Sequence, residues 1–205
     1  MNNIIHNTAI IEDGVIIGKN NYIGPFCYIK SGTIIGNNNR FEGYCSIGTT
    51  PEYYGKNYKE TNVIIGNNNI FREFVIITNG TNINTIIKNN IILLNKTYIA
   101  HDSFIDDNVT CSCNVSIAGF VSIMKGANIG MCVNIHQNCI VGAYSMLGMG
   151  TIVTKKSIIE PGKIYVGNPA KYLKDNIIGL AKSEIDKNTL LKYEKEFYVK
   201  LKVIK

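Results

Sequence analysis

The 205-residue sequence predicts an all-β chain, a parallel β-helix wound from six-residue repeats, on two observations. The first is the run from Leu93 to Val141, where every sixth residue is apolar: Leu93, Ile99, Ile105, Cys111, Ile117, Ile123, Ile129, Ile135 and Val141. A period of six fits neither the 3.6-residue repeat of an amphipathic helix nor the alternation of a half-buried strand. It fits a hexapeptide solenoid. The second is that the same period opens the chain, through Ile5, Ile11, Ile17, Ile23, Ile29, Ile35, Phe41 and Ile47. Gly18, Gly24, Gly36 and Gly48 directly follow four of these, and Asn-rich corners such as Gly36–Asn39 tolerate left-handed backbone. Three hexads make one triangular coil, which buries its inner face only by stacking on its neighbours.

The remaining elements follow in order. After Gly48 the stretch TTPEYYGKNYKETN carries no ladder and reads as a loop excursion near 49–62. The ladder resumes at Ile65, Phe71 and Ile77 in the original register. A second break near 78–85, TNGTNINT, shifts it by four residues before Ile87. It then runs on through Leu147 and Val153 and weakens at Ile159. The solenoid is therefore assigned to 1–166 and a C-terminal segment with a helix to 167–205. In SEIDKNTLLKYEKEFYVKLKVIK, Ser183 reads as an N-cap with Asp186 completing a partial capping box. Ile185, Leu190, Leu191, Phe197 and Leu201 can form one apolar stripe.

Bulk composition narrows the classes. Net charge is +6 and apolar residues make up 45%, so a globular chain with a basic surface is expected. The lysines are dispersed, which argues against nucleic-acid binding and suits a small anionic ligand such as a nucleotide or coenzyme A. No apolar run reaches membrane-spanning length and the N-terminus is not a signal peptide, so a cytoplasmic protein is expected. Cys27, Cys45 and Cys139 each fall two residues before a ladder residue and Cys111 lies on the ladder. These read as buried thiols in a reduced compartment.

The residues able to carry chemistry depart from the repeat. His101 follows the inward Ile99 by two and should point outward. An outward histidine is ordinarily just solvated, but Asp102 beside it can orient the imidazole as a general base. His136, next to Gln137, sits at a corner, where a hydrogen bond to backbone competes with a ligand contact. His6 lies on an early coil and reads as structural. With no close histidine pair and no CxxC, no metal site is expected.

At this point HNTAIIEDGVIIGKNNYIGPFC, IIGNNNIFREFVII, YIAHDSFIDDNV, SIAGFVSI and NIHQNCIVGAYSMLG resemble the UDP-N-acetylglucosamine O-acyltransferases of lipid A synthesis, over residues 6 to about 180. The wider superfamily is the left-handed β-helix acyltransferases. The resemblance implies a left-handed parallel β-helix with a short C-terminal α-helical extension, associated as a homotrimer with active sites between subunits. It implies His101 as general base, Asp102 as its neighbour, and Gly119 as donor of the N–H that holds the oxyanion. His136 and Gln137 match acyl-chain and substrate contacts. The loop carrying Glu52 and Tyr53 matches the one that touches the nucleotide.

The departures point to a subfamily. Tyr98 and Phe120 stand where the family has histidines, Tyr53 replaces an acidic residue, and Ala181-Lys182-Ser183 replaces a segment with paired arginines. Met149 stands where a glycine admits a long acyl chain. Gly167–Lys171 (GNPAK) resembles the pantetheine-holding segment of coenzyme A-dependent acetyltransferases. The expectation is therefore transfer of an acetyl or other short acyl group from coenzyme A, most simply acetyl-CoA, to the amino group of a dTDP- or UDP-linked deoxyamino sugar for surface glycans. The alternative is an acyl-carrier-protein-dependent UDP-N-acetylglucosamine O-acyltransferase. Glu52, Tyr53, Arg72, Asn79, Tyr98, His136 and Gln137 are the expected sugar-nucleotide contacts. Gly148, Met149, Gly150, Lys155, Asn168, Pro169, Ala170 and Lys171 are the expected coenzyme A contacts.

Overall fold

The computed structural model describes residues 2–55, 57–155 and 157–204. Met1, Lys56, Lys156 and Lys205, which the sequence places in the solenoid, the first loop and the C-terminal segment, lie outside the described residues. Most hexads contribute a two-residue strand and a tight corner. The first strand residue faces out and the second faces in, as with half-buried Tyr98 and fully buried Ile99. Strands of successive coils pair in parallel, so ladder residue meets ladder residue, Ile77 against Ile99 and Ile99 against Ile117.

Among the described residues, three sheets of ten, eight and seven strands result. Face A runs from Ile4–Ile5 to Lys163–Val166, with Lys171–Asp175 added antiparallel at its end. Face B runs from Ile10–Ile11 to Ile152–Val153 and face C from Ile16–Ile17 to Ile140–Val141. From Ile23 onward the ladder residues fill one continuous core, with Phe41 stacked on Phe71 at 4.6 Å between ring centres. Cys27, Cys45, Cys111 and Cys139 are free thiols inside this prism.

The corners explain the asparagines. The second corner residue repeatedly takes a left-handed backbone, at Asn38 (φ 58°), Asn68 (φ 60°) and Asn90 (φ 57°), a conformation asparagine adopts at little cost. The residue before it builds a side-chain ladder. The Asn37 amide oxygen accepts from the Lys19 N–H at 2.7 Å, and Asn67 accepts from the Asn37 N–H at 2.7 Å. Asn89 continues it, accepting from the Asn67 N–H at 2.8 Å.

Both interruptions leave the solenoid at the corner between faces B and C, after strands Ser46–Thr49 and Ile76–Thr78. There they meet. The Thr61 N–H donates to the Gly80 carbonyl at 2.9 Å, and the Thr61 hydroxyl donates to the Ile83 carbonyl at 2.7 Å. Glu60 accepts from Lys30 at 2.5 Å and from the Asn79 amide at 2.8 Å. Burial works to raise the Glu60 carboxyl, but Lys30 and Asn79 hold it below the usual carboxylate range.

The C-terminal segment forms two helices, α1 (Ile177–Lys182) and α2 (Lys187–Ile204). Ser183 does not cap a helix start. It closes α1, and Glu184 (φ 54°) turns the chain left-handed before α2, which Asp186 caps by accepting from the Thr189 N–H at 2.7 Å. Fully buried Phe197 packs α2 onto Met124, Ile140, Ala143 and Tyr144, ringed by Leu180, Ile185, Tyr193 and Leu201. Leu191 falls off the expected stripe and is exposed, while its neighbour Leu190 packs over Gly162; adjacent helical residues cannot share a face. Among the described residues no helix is long and apolar enough to cross a membrane.

Candidate active site

The corner between faces B and C stacks His101, Gly119, Gln137 and Lys155 at the same turn position in four successive coils. The stack is hydrogen-bonded coil to coil: the Phe120 N–H donates to the His101 carbonyl at 3.0 Å, and the Asn138 N–H to the Gly119 carbonyl at 3.1 Å. A regular solenoid spaces such positions by about 4.8 Å, so residues far apart in sequence become a line of neighbours.

His101 is the centre of this edge. Its side chain points away from the coil as expected but is not solvated, with only 8% exposed. Tyr53 of the first loop and Phe120 of the next coil cover it edge-on, each ring centre 5.3 Å away. His101 Nδ1 lies 2.6 Å from Asp102 Oδ2. An ionised carboxylate only accepts, so in the neutral ring Nδ1 carries the proton and Nε2 keeps a free lone pair. That is the tautomer a general base needs.

Asp102 is fully buried and left-handed (φ 58°), which turns its carboxylate back against the second insertion. There it accepts from the Thr81 hydroxyl at 2.7 Å, the Asn82 N–H at 2.8 Å and the Ile83 N–H at 2.7 Å, and from the Thr81 N–H. Burial pushes the carboxyl up; the Ile83 N–H, the Thr81 hydroxyl and the His101 ring outweigh it and hold it below the usual range. A carboxylate lowered in this way stabilises the fold above its unfolded pKa of about 4, and that stabilisation disappears as pH falls through the folded value. Asp102→Asn should therefore unfold at lower urea than wild type at neutral pH, with the gap closing below about pH 4. A gap that stays constant through that range contradicts this account of Asp102.

Gly119 lies directly beneath the imidazole. A Cβ there would stand 2.4 Å from His101 Cε1 and 2.6 Å from Nε2. Only a glycine lets the ring rest on this backbone, and it brings the Gly119 peptide to the reactive nitrogen.

The other sequence-derived residues divide by corner. Tyr98 lies on the outer side of face B and approaches Glu52 of the first loop, hydroxyl to carboxylate, at 3.4 Å. Burial and then the Glu52 charge push the Tyr98 phenol up to about 12, so it remains a donor. Tyr98, Ser116, Asn134, His136, Ile152 and Thr154 line a shallow groove of about 310 Å³ that runs down face B beside the stacked corner. Exposed His136 places Nδ1 3.0 Å from the Gln137 carbonyl, the backbone contact foreseen for a corner histidine. Asn79 is buried beside Glu60. Arg72 is not brought here; it sits at the corner between faces A and B and pairs with Glu73 at 3.3 Å.

Gly148, Met149 and Gly150 share that A–B corner, on the far margin of face B from His101, and Met149 is 74% exposed. Asn168, Pro169 and Ala170 lie in the turn before the last strand, which Lys171 begins, next to Ile152, whose carbonyl accepts from the Ala170 N–H at 2.8 Å. Lys155 alone of this set is in the His101 stack. Among the described residues no three His, Cys, Asp or Glu are grouped so as to hold a metal ion.

Comparison with known proteins decides the family. Residues 14–49 match the bacterial transferase hexapeptide family (six repeats). An acyl-[acyl-carrier-protein]–UDP-N-acetylglucosamine O-acyltransferase of Aliarcobacter butzleri is 36% identical over 88% of this chain and 76% of its own length. The chain belongs to the hexapeptide-repeat acyltransferases. The solved UDP-N-acetylglucosamine acyltransferases LpxA of Acinetobacter baumannii and Bacteroides fragilis superpose with TM-scores of 0.74 and 0.79, at 31% and 29% identity. Each match covers 94% of this chain, and 80% and 82% of those chains. The fold is thus the left-handed parallel β-helix of this family, and the chain is an acyltransferase.

One expectation is overturned. Coenzyme A was expected as the acyl donor, held by Gly148, Met149, Gly150, Lys155 and residues 168–171. The relatives of this hexapeptide acyltransferase are named for an acyl carrier protein, and the residues assigned to coenzyme A are divided between two corners and a turn. A local likeness at GNPAK misread a hairpin turn as a cofactor segment. Two features escaped sequence reasoning altogether. Thr81 and its turn hold Asp102, signalled only by the four-residue register shift. Tyr53 and Phe120 cover the histidine, which no spacing rule reveals.

Proposed function

We propose that the chain transfers an acyl group from an acyl-carrier-protein thioester to a hydroxyl of the sugar of UDP-N-acetylglucosamine, as a cytoplasmic homotrimer with active sites between subunits. The observation that carries the reading is the His101–Asp102 pair lying over the Gly119 peptide. Asp102 fixes the imidazole so that Nε2 takes the proton of the acceptor hydroxyl as its oxygen attacks the thioester carbonyl. The Gly119 N–H faces the oxygen that becomes negative in the tetrahedral intermediate. Collapse breaks the carbon–sulfur bond, and the proton returns from His101 to the departing thiolate.

Tyr53 covers His101, Tyr98 meets Glu52 and Gln137 stands in the His101 corner stack; with Asn79 they are assigned to the sugar nucleotide. Arg72, at another corner, serves a site only across a subunit interface. The groove with His136 is assigned to the acyl chain; its length is assigned to the shorter end on the family likeness alone, in which Met149 stands where a glycine does.

The reading is tested with purified protein, UDP-N-acetylglucosamine and hydroxyacyl carrier proteins of graded chain length, following thiol release. Turnover that peaks at a short chain, and at a longer one in Met149→Gly, is expected. Turnover with none of these donors contradicts it.

A further inference from the structure

The four-residue shift of the ladder before Ile87 has a purpose in the site. The inserted turn aims the N–H groups of Thr81, Asn82 and Ile83, three in succession, at one carboxylate, and the Thr81 hydroxyl adds a fourth donor. Consecutive backbone N–H groups converging in this way form an anion-holding nest. Its occupant is the Asp102 side chain, which has no lysine or arginine partner among the described residues; its one ionisable neighbour in contact is His101.

The two oxygens are used differently. Oδ1 takes the Asn82 and Ile83 N–H groups. Oδ2 takes the Thr81 hydroxyl at 2.7 Å and His101 Nδ1 at 2.6 Å. Thr81 therefore grips the same oxygen that holds the imidazole. It is itself only 7% exposed, and its turn is closed by construction: a Cβ on Gly80 would stand 1.7 Å from the Ile83 carbonyl oxygen. Thr61, at the end of the first loop, pins both ends of the turn through the Gly80 and Ile83 carbonyls.

We propose that Thr81 is a positioning residue for the His101–Asp102 pair, acting through Asp102 without touching substrate. The inference rests on His101 being the base. With Oδ2 held from two sides the carboxylate cannot rotate, so Nδ1 keeps its proton and Nε2 keeps its aim. Loss of the hydroxyl leaves Oδ2 with only the longer Thr81 N–H bond, at 3.0 Å, on the side away from the ring, which slackens the imidazole.

The test compares Thr81→Val, which keeps the β-branched shape, with Thr81→Ser, which keeps the hydroxyl. Thr81→Val is expected to lower kcat on the order of tenfold with KM within about twofold, and Thr81→Ser to restore most of the rate. In a His101→Ala background Thr81→Val should add no further loss. The activity-independent readout is the imidazole proton–nitrogen NMR spectrum of protein labelled at its three histidines, with the His101 signal identified by its absence in His101→Ala. The Nδ1–H resonance is expected in wild type and Thr81→Ser and is broadened or lost in Thr81→Val.

An unchanged spectrum in Thr81→Val overturns the proposal, as does a serine variant no better than valine. An equal loss of rate in both backgrounds also overturns it, since that marks general damage. If His101→Ala turns over like wild type while Thr81→Val still alters the spectrum, the base assignment falls and the positioning role stands.

Discussion

His101→Ala should lower kcat by about 10²–10⁴-fold, the usual contribution of a positioned general base. The variant should keep a cooperative unfolding transition, because the side chain is not part of the ladder core, although the buried Asp102 loses a partner. A sugar hydroxyl is a far weaker acid than water-exposed imidazolium, so it does not reach the site already deprotonated and depends on proton removal in the transition state. Steady-state kinetics on the purified variant measures this. Loss of rate together with loss of the unfolding transition would reflect a folding role. Unchanged kcat would move the proton acceptor away from His101.

Gly119→Ala should cost as much or more, by a different route. Its methyl group would stand 2.4–2.9 Å from three atoms of the imidazole ring, closer than van der Waals contact permits. The ring must lift away from the peptide, which separates the base from the N–H assigned to the oxyanion. Removal of one oxyanion donor alone costs about 10²–10³-fold in kcat, and base displacement adds to it. Backbone strain is not the cause, since Gly119 is not among the residues with positive φ. A Gly119→Ala enzyme with more than about a tenth of wild-type kcat would contradict this packing of ring on peptide.

Much of the fold was legible in the sequence because the period of six is a direct imprint of three-sided stacking. The ladder predicted from spacing alone, such as Ile99, Ile117 and Ile135, is the row that stacks strand on strand along face B. The cysteines two before a ladder residue were legible for the same reason: that position also points inward, as buried Val63, Val75 and Ile91 do. The C-terminal helix was less so. Ser183 reads as an N-cap with Asp186 as its partner, but α1 ends at Ser183, the left-handed Glu184 turns the chain, and Asp186 caps α2.

The pairing of His101 with Asp102 was visible as two adjacent letters; its environment was not. Tyr53 arrives from an excursion and Phe120 from the following coil, so the burial of His101 depends on loop closure that no repeat encodes. The nest around Asp102 was written as a break in the pattern, and a break says where geometry changes without saying what it builds. The donor was misread because GNPAK is a short signal. A carrier protein is recognised over a surface, and a surface leaves no compact motif.

The bond formed in the product is the measurement to make. Wild-type protein incubated with UDP-N-acetylglucosamine and an acyl carrier protein thioester should yield a nucleotide sugar heavier by one acyl group. Mild alkali should return it to the starting mass, as an ester does. An alkali-stable product, or one formed only when an amino sugar nucleotide is supplied, would mean that nitrogen is the acceptor and would contradict the O-acyltransferase assignment.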